Sequence, residues 1–361
     1  MKKIISLFLA VCIALPSFSQ AKGKSIPDLK GYVTLKCDFH IHTVFSDGLV
    51  WPTIRIDEAH RDGLDAIAIT DHVEYRPYKS DIVASHNRSY EAALAAAEAK
   101  GIILIRGAEI TRGMPPGHLN AIFLTDVDEL DKPDYMDALR AAKAQNAFIF
   151  WNHPGWEAQQ PDTTVWFDEH AILLEQGMLH GIEVVNEVCK LYTPEAHRWC
   201  LEKKLTMLGN TDVHHFFVPG KKRAMTLVFA RSRTPEAIYE ALMDRRTVVY
   251  YEDFIIGEEK YLKELFENAL EWKVDKTENG VHVRVRNNSD LTFRLKKDSS
   301  DARLIYFRNT SIMPQVIAPK GEFSFTVNMR GGIKSGDVNF IVENFLVQPN
   351  EGMKYTLKIS N

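Results

Sequence analysis

From Tyr32 to Tyr251, short apolar runs alternate with segments whose apolar residues recur at helical spacing. The runs Tyr32–Phe39, Ala66–Ile69, Ile102–Ile105, Ala121–Leu124, Ala147–Trp151, Ile182–Val185, Leu205–Leu208 and Ala224–Ala230 have the length and content of buried strands. Helices are predicted between them over Pro52–Arg61, Ser89–Lys100, Asp134–Gln145, Asp168–Gln176, Thr193–Lys203 and Thr234–Arg245. Proline opens the first, alanine gives the second high propensity, and Thr193 and Thr234 stand at cap positions. This alternation predicts an α/β unit with a mainly parallel sheet. A last helix over Glu258–Leu270 reads as a closing element and linker.

Beyond Glu271 the pattern changes. Val281–Arg286, Leu291–Leu295, Phe323–Val327, Val338–Val342 and Tyr355–Ile359 alternate or run apolar, with Asn, Gly and Asp turns between them. They predict a small all-β sandwich over 271–361, following an α/β unit over 22–270. None of the candidate chemical residues lies in the sandwich, which reads as a stabilising or docking domain.

The α/β strands end in chemistry. His40 and His42 lie two apart at the end of the first strand, so both side chains project to one side, and Asp47 follows in the turn Ser46-Asp47-Gly48. The second strand ends at Asp71-His72, the third leads to Glu109, the run to Trp151 leads to Asn152-His153-Pro154-Gly155, and that to Leu208 leads to Asp212 and His214. His118 begins the short strand after Glu109. Any one of these is as readily a structural histidine or surface carboxylate as a ligand. Together they gather imidazoles and carboxylates at one end of a sheet, where parallel α/β barrels carry their active sites. Asp71 points away from His72 and is suited to bracing rather than ligation.

In this order the motifs His40-Ile41-His42, Ser46-Asp47-Gly48, Ile69-Thr70-Asp71-His72, Gly107-Ala108-Glu109-Ile110, Asn152-His153-Pro154-Gly155 and Thr211-Asp212-Val213-His214 resemble those of the polymerase-and-histidinol-phosphatase (PHP) family, relatives of the amidohydrolases, over residues 33–250. The resemblance implies a distorted (β/α)7 barrel of PHP type holding two or three divalent ions, and mixed imidazole and carboxylate ligands suit zinc, manganese or iron. Carried over by position, His40, His42 and Asp212 hold one ion with Glu109. Glu109 bridges to a second held by His118 and His153. Asp47, His72 and His214 hold a third. Many family members have His where this chain has Asp47.

Composition narrows the partners. The 361 residues carry a net charge of −4, with no basic run, which argues against polymeric nucleic acid. Met1-Lys2-Lys3, the apolar stretch Ile4–Leu15 and the small residues before Ala21 read as a signal peptide over 1–21, predicting an exported protein, periplasmic or extracellular. No apolar run is long enough to span a membrane. Past that segment Cys37, Cys189 and Cys200 remain, an odd number that excludes full pairing within one chain.

A charge-rich cluster of ions suits an anionic substrate with oxygens to share, so a small-molecule phosphoester is the expected substrate, a diester before a monoester. The expected reaction is attack on phosphorus by a metal-bound hydroxide, with Glu109 and Asp212 as the catalytic carboxylates. Arg112, His215 and Arg223 are the candidate substrate contacts. Competing readings are amide or lactone hydrolysis and a non-catalytic binding protein.

Overall fold

Strands that are apolar on both faces must be covered on both faces, and the structure does this with helices outside and side chains inside. The computed structural model describes residues 25–189, 192–277, 280–298, 304–307, 315–328 and 338–359. The predicted signal segment, 1–21, lies outside them.

The α/β unit runs β1 (Val33–Asp38), α1 (Pro52–Asp62), β2 (Ala66–Ile69), α2 (Arg88–Lys100), β3 (Ile103–Ile110), β4 (Leu119–Ile122), α3 (Tyr135–Ala144), β5 (Phe148–Trp151), α4 (Asp168–Glu175), β6 (Gly181–Asn186), α5 (Pro194–Lys203), β7 (Thr206–Asn210), β8 (Met225–Ala230), α6 (Pro235–Met243), β9 (Thr247–Tyr251), β10 (Phe254–Gly257) and α7 (Glu259–Ala269). Then follow β11 (Leu270–Thr277), β12 (Gly280–Asn287), β13 (Phe293–Lys297), β14 (Leu304–Phe307), β15 (Gln315–Ile317), β16 (Glu322–Asn328), β17 (Val338–Gln348) and β18 (Glu351–Leu357). Strands β2 and β4 to β8 are buried along their whole length.

The barrel strands are not uniformly parallel. β1, β2 and β3 run parallel, as do β5, β6 and β7, but β4 is antiparallel to both its neighbours and β8 is antiparallel to β1. The cause is local. No crossover helix separates β3 from β4 or β7 from β8, and only a crossover returns the chain for parallel pairing. The gap between β7 and the β8–β9 pair is closed by side chains: Thr226 Oγ1 lies 3.0 Å from both the N and O of Gly209, and Thr247 Oγ1 donates to Met207 O at 2.8 Å. Gly209 permits this approach, because a Cβ there would overlap Val249.

The C-terminal sandwich pairs β11, β12, β16 and β14 in one sheet, while β13, β15, β17 and β18 form the other. That second sheet is continuous with the barrel, because β10 pairs in parallel with β17 (Ile255 with Phe345, Ile256 with Leu346). Helix α7 lies in the joint. Its Leu262, Leu265 and Phe266 are fully buried in a core that also holds Phe229 and Val248 of the barrel and Phe293 and Phe345 of the sandwich. At ~1.5–3 kcal/mol for each large side chain buried, this shared core couples the two units. Among the described residues no helix is long and apolar enough to cross a membrane.

Candidate metal centre

All nine predicted ligands meet at one rim of the barrel, on or beneath a cleft of ≈ 520 Å³. His40 and His42 leave the end of β1, His72 the end of β2, His153 the end of β5, and Asp212 and His214 the end of β7, while His118 precedes β4. Glu109 differs from expectation in lying inside β3, which continues through Gly107. A Cβ at Gly107 would sit 2.8 Å from Ile122 and 3.0 Å from Thr70, so the glycine serves close strand packing rather than a turn.

The tightest part of the cluster has four atoms. His40 Nε2 lies 3.1 Å from His42 Nε2, 3.1 Å from Glu109 Oε2 and 3.2 Å from Asp212 Oδ1. His42 Nε2 lies 3.2 Å from Glu109 Oε2 and 3.0 Å from Asp212 Oδ1. Donors about 2.0–2.1 Å from one tetrahedral ion sit about 3.3 Å from each other, and the separations around His40 and His42 are of that size.

Glu109 divides its carboxylate. Oε2 faces His40, His42 and His72, whereas Oε1 faces His118 at 2.7 Å and His153 at 3.6 Å. That is the disposition of a bridging ligand. A further group surrounds Asp47: His72 Nε2 at 3.5 Å, His214 Nε2 at 3.3 Å and His42 Nδ1 at 3.6 Å, a looser set than the first. Asp47 therefore stands within ligand reach of His42, His72 and His214. The ligand sets overlap. His118 shares mutual ligand reach with Glu109 and His72, while His153 shares it with His40 and Glu109, or with Cys189 and Asp212.

Surrounding side chains fix the tautomers. Glu183, buried in β6, accepts from His40 Nδ1 at 2.8 Å, which leaves Nε2 free to ligate. Glu183 also accepts from His153 N, Asn186 Nδ2 and Asn210 Nδ2. His214 Nδ1 donates to Asp212 O at 2.7 Å, and His72 Nδ1 lies 2.6 Å from Thr111 Oγ1. His153 and Asp212 have positive φ, 29° and 55°, a conformation that non-glycine residues keep only when held. Here Glu183 holds His153 N and the His40 carbonyl holds Asp212 N. Asp71 braces the Thr43–Ser46 turn through three 2.7 Å hydrogen bonds. Buried Arg55 donates to the carbonyls of His42, Val213, His214 and His215, tying the β1 and β7 loops together. Neither Glu183 nor Arg55 was a sequence candidate. A lone carboxylate inside the apolar run Ile182–Val185 was the available signal for Glu183.

The electrostatics demand positive charge. Burial pushes the Glu109 carboxyl up, but His72, His40 and His118 outweigh it and hold it well below the ordinary range. Burial does the same to Asp212, and His40 and His42 likewise keep it ionised. Burial disfavours charge on His40, yet Asp212, Glu183 and Glu109 raise its pKa well above the usual value. The carboxylates thus draw protons onto imidazole, and a divalent ion would take the place of those protons.

Three predicted substrate contacts are placed elsewhere. Arg112 pairs with Glu74 at 2.8 Å and donates to the carbonyls of Lys132 and Pro133. Arg223 is buried against Asp38 at 2.8 Å, with Asp62 at 3.2 Å and its guanidinium over Phe217. Both are held in pairings outside the cleft. His215 is exposed, and its carbonyl is bound by Arg55. None of the three lines the cleft, which Tyr75, Thr111, Trp156, Glu157, Val188 and Cys189 border around the ligands. No lysine or arginine lines it among the described residues. The three thiols Cys37, Cys189 and Cys200 are free.

Residues 38–176 match the PHP domain, and residues 268–358 match an Ig-like domain. A crystal structure from Bacteroides vulgatus, of a two-domain protein containing a predicted PHP-like metal-dependent phosphoesterase, is 49% identical with a TM-score of 0.89, covering 94% of this chain and 98% of that one. An uncharacterised protein of Methanocaldococcus jannaschii is 38% identical over 86 residues, which span 23% of this chain and 36% of that protein. A lesion-specific endonuclease from Pyrococcus furiosus is 14% identical with a TM-score of 0.45, covering 63% of this chain and 59% of that one, a likeness too remote to bear on substrate.

Proposed function

This chain belongs to the PHP family of metal-dependent phosphoesterases, and we propose that it hydrolyses a small-molecule phosphodiester with two or three divalent ions in the cleft. The observation that carries the reading is that Glu109 Oε2 and Asp212 Oδ1 each stand 3.0–3.2 Å from both His40 Nε2 and His42 Nε2, which are themselves 3.1 Å apart. These four would hold one ion. The other Glu109 oxygen, with His118 and His153, would hold a second, and Asp47, His72 and His214 a third. Bound there, divalent ions supply Lewis acidity toward phosphoryl oxygens and bring the pKa of water toward 7.

The protein's own groups do the rest. Glu183 keeps the His40 proton on Nδ1, so the ligand face of the ring stays open. Asp212 stays ionised among its imidazoles, as a group that is to take up a proton must. Trp156 sits edge-on to His118 and His153, at 5.4 and 5.2 Å between ring centroids, and with Val188 gives the cleft an apolar wall for an organic substituent.

Among the described residues no lysine or arginine lines the cleft, which favours a diester. A monoester dianion needs more positive charge than a diester monoanion, and among the described lining residues no side-chain cation adds to the metals. The same feature, with the net charge of −4, supports a small molecule over a nucleic-acid polymer. The amino-terminal segment Met1–Ala21 supports export to the periplasm or beyond. The test compares bis-aryl phosphates with aryl monophosphates after chelation and stepwise return of zinc, manganese or iron. Metal-restored hydrolysis that favours the diester is expected. Equal or greater turnover of the monoester would reverse the preference, and none of either would remove the function.

A further inference from the structure

Cys189 has no part in the ligand grouping described for this fold family, yet its thiol stands at the cluster. Its Sγ lies 3.7 Å from Asp212 Oδ2. The turn that carries it is pinned to the site. Asn186 Oδ1, at the end of β6, accepts from the backbone N of both Val188 and Cys189, while Asn186 Nδ2 donates to Glu183 and Asp212. His153 supplies a second and independent observation. Its imidazole is only 4% exposed, its Nδ1 has no hydrogen-bond partner, and its Nε2 stands 3.6 Å from Glu109 and 3.9 Å from Asp212, beyond hydrogen-bond reach. A buried imidazole left without a partner costs free energy unless something else binds it. The ligand atoms of His153, Cys189 and Asp212 all lie within 4.8 Å of one another.

We propose that Cys189 is a sulfur ligand which, with His153 and Asp212, makes a mixed nitrogen, oxygen and sulfur metal position at the floor of the cluster. The inference rests on the metal reading of the cleft. Sulfur at about 2.3 Å and oxygen at about 2.1 Å from one tetrahedral ion stand about 3.6 Å apart, close to the Cys189–Asp212 separation. As the metal–sulfur bond forms, the S–H bond breaks and its proton leaves to solvent. A soft ligand selects against manganese and magnesium, so this position takes zinc or iron(II), whereas the Asp47 position, built of imidazole and carboxylate, accepts harder ions. The cleft therefore holds unlike ions. That follows from a single side chain absent from the predicted ligand set.

The test uses the full chain, stripped with chelator and reloaded with cobalt(II). Bound cobalt shows visible d–d absorption, and a thiolate ligand adds a near-ultraviolet sulfur-to-cobalt charge-transfer band. Wild-type protein should show both. Cys189→Ser should keep the d–d absorption, which reports an intact centre, and lose the charge-transfer band. X-ray absorption of the wild-type zinc form should show a sulfur scatterer at about 2.3 Å, without recourse to a variant. Cobalt d–d absorption with no charge-transfer band, or a band that survives in Cys189→Ser, would overturn the ligand assignment alone. No bound cobalt at all would overturn the metal reading with it.

Discussion

Glu183 Oε1 lies 2.8 Å from His40 Nδ1, and both side chains are buried. The other oxygen of the same carboxylate accepts from His153 N and Asn186 Nδ2. One side chain thus sets the tautomer of one proposed ligand and the backbone of another. Glu183→Gln replaces an acceptor with a donor on one side and leaves two amide protons facing an N–H group. Metal affinity should fall about 10–100-fold, the usual cost of losing such an outer partner. Metal competition against a chromophoric chelator measures this, and turnover should recover at saturating metal. Unchanged affinity would show that Glu183 serves packing only.

Glu109 joins two parts of the cluster through its two oxygens, so its loss should be more severe than that of any outer partner. Glu109→Ala is expected to abolish hydrolysis, a fall larger than about 100-fold, while circular dichroism and the unfolding midpoint stay near wild type. His42→Ala should behave alike. Near-normal rates in either variant would falsify the shared role assigned to the two residues.

Arg223 tests the corrected reading of the basic residues. Its pairing with Asp38 is buried on both sides, at 3% and 0% side-chain exposure. Removing one partner of such a pair leaves an uncompensated charge and costs about 3–5 kcal/mol. Arg223→Ala should lower stability by that order in denaturant unfolding and leave KM within about twofold under conditions where the protein is folded. A large rise in KM with unchanged stability would return Arg223 to the substrate site.

His170 sets an acid limit on stability. Its Nε2 donates to Pro116 O at 2.8 Å, its Nδ1 accepts from Phe167 N, and its ring stacks on Trp151 at 3.6 Å. Burial pushes its pKa down to about 4. The unfolded chain then binds a proton near pH 6.5 that the folded chain refuses until about 4. Stability should be fully present above pH 6.5 and fall by about 3 kcal/mol as pH drops toward 4. His197, also buried and pushed down to about 4, adds a loss of the same sign. Unfolding curves across this range should be flatter in His170→Gln, and an unchanged slope would contradict the assignment.

Much of the site was legible in the sequence because its ligands follow apolar runs, where position along a strand fixes direction. His40, His42, His72, His153, Asp212 and His214 all lie just past strands that burial patterns alone could locate. Glu109 lies inside its strand rather than past it, because Gly107 fills a crowded strand position that lets β3 continue. Glu183 was hidden because its role depends on partners from β1, β5 and β7, far away in the chain. The three basic candidates failed for the same reason. Loop position says nothing about which carboxylate or carbonyl will claim a guanidinium, and Asp38 and Glu74 claimed two of them. Strand direction at β4 and β8, and the pairing of β10 with β17, likewise depend on connections that periodicity does not encode.

Metal stoichiometry measured together with diester hydrolysis tests the central claim most directly. Purified full-length protein should contain at least two divalent ions per chain, lose hydrolysis of a bis-aryl phosphate on exhaustive chelation, and regain both on metal return. Glu109→Ala should hold fewer ions and stay inactive. Hydrolysis that persists undiminished in metal-free protein would contradict the account.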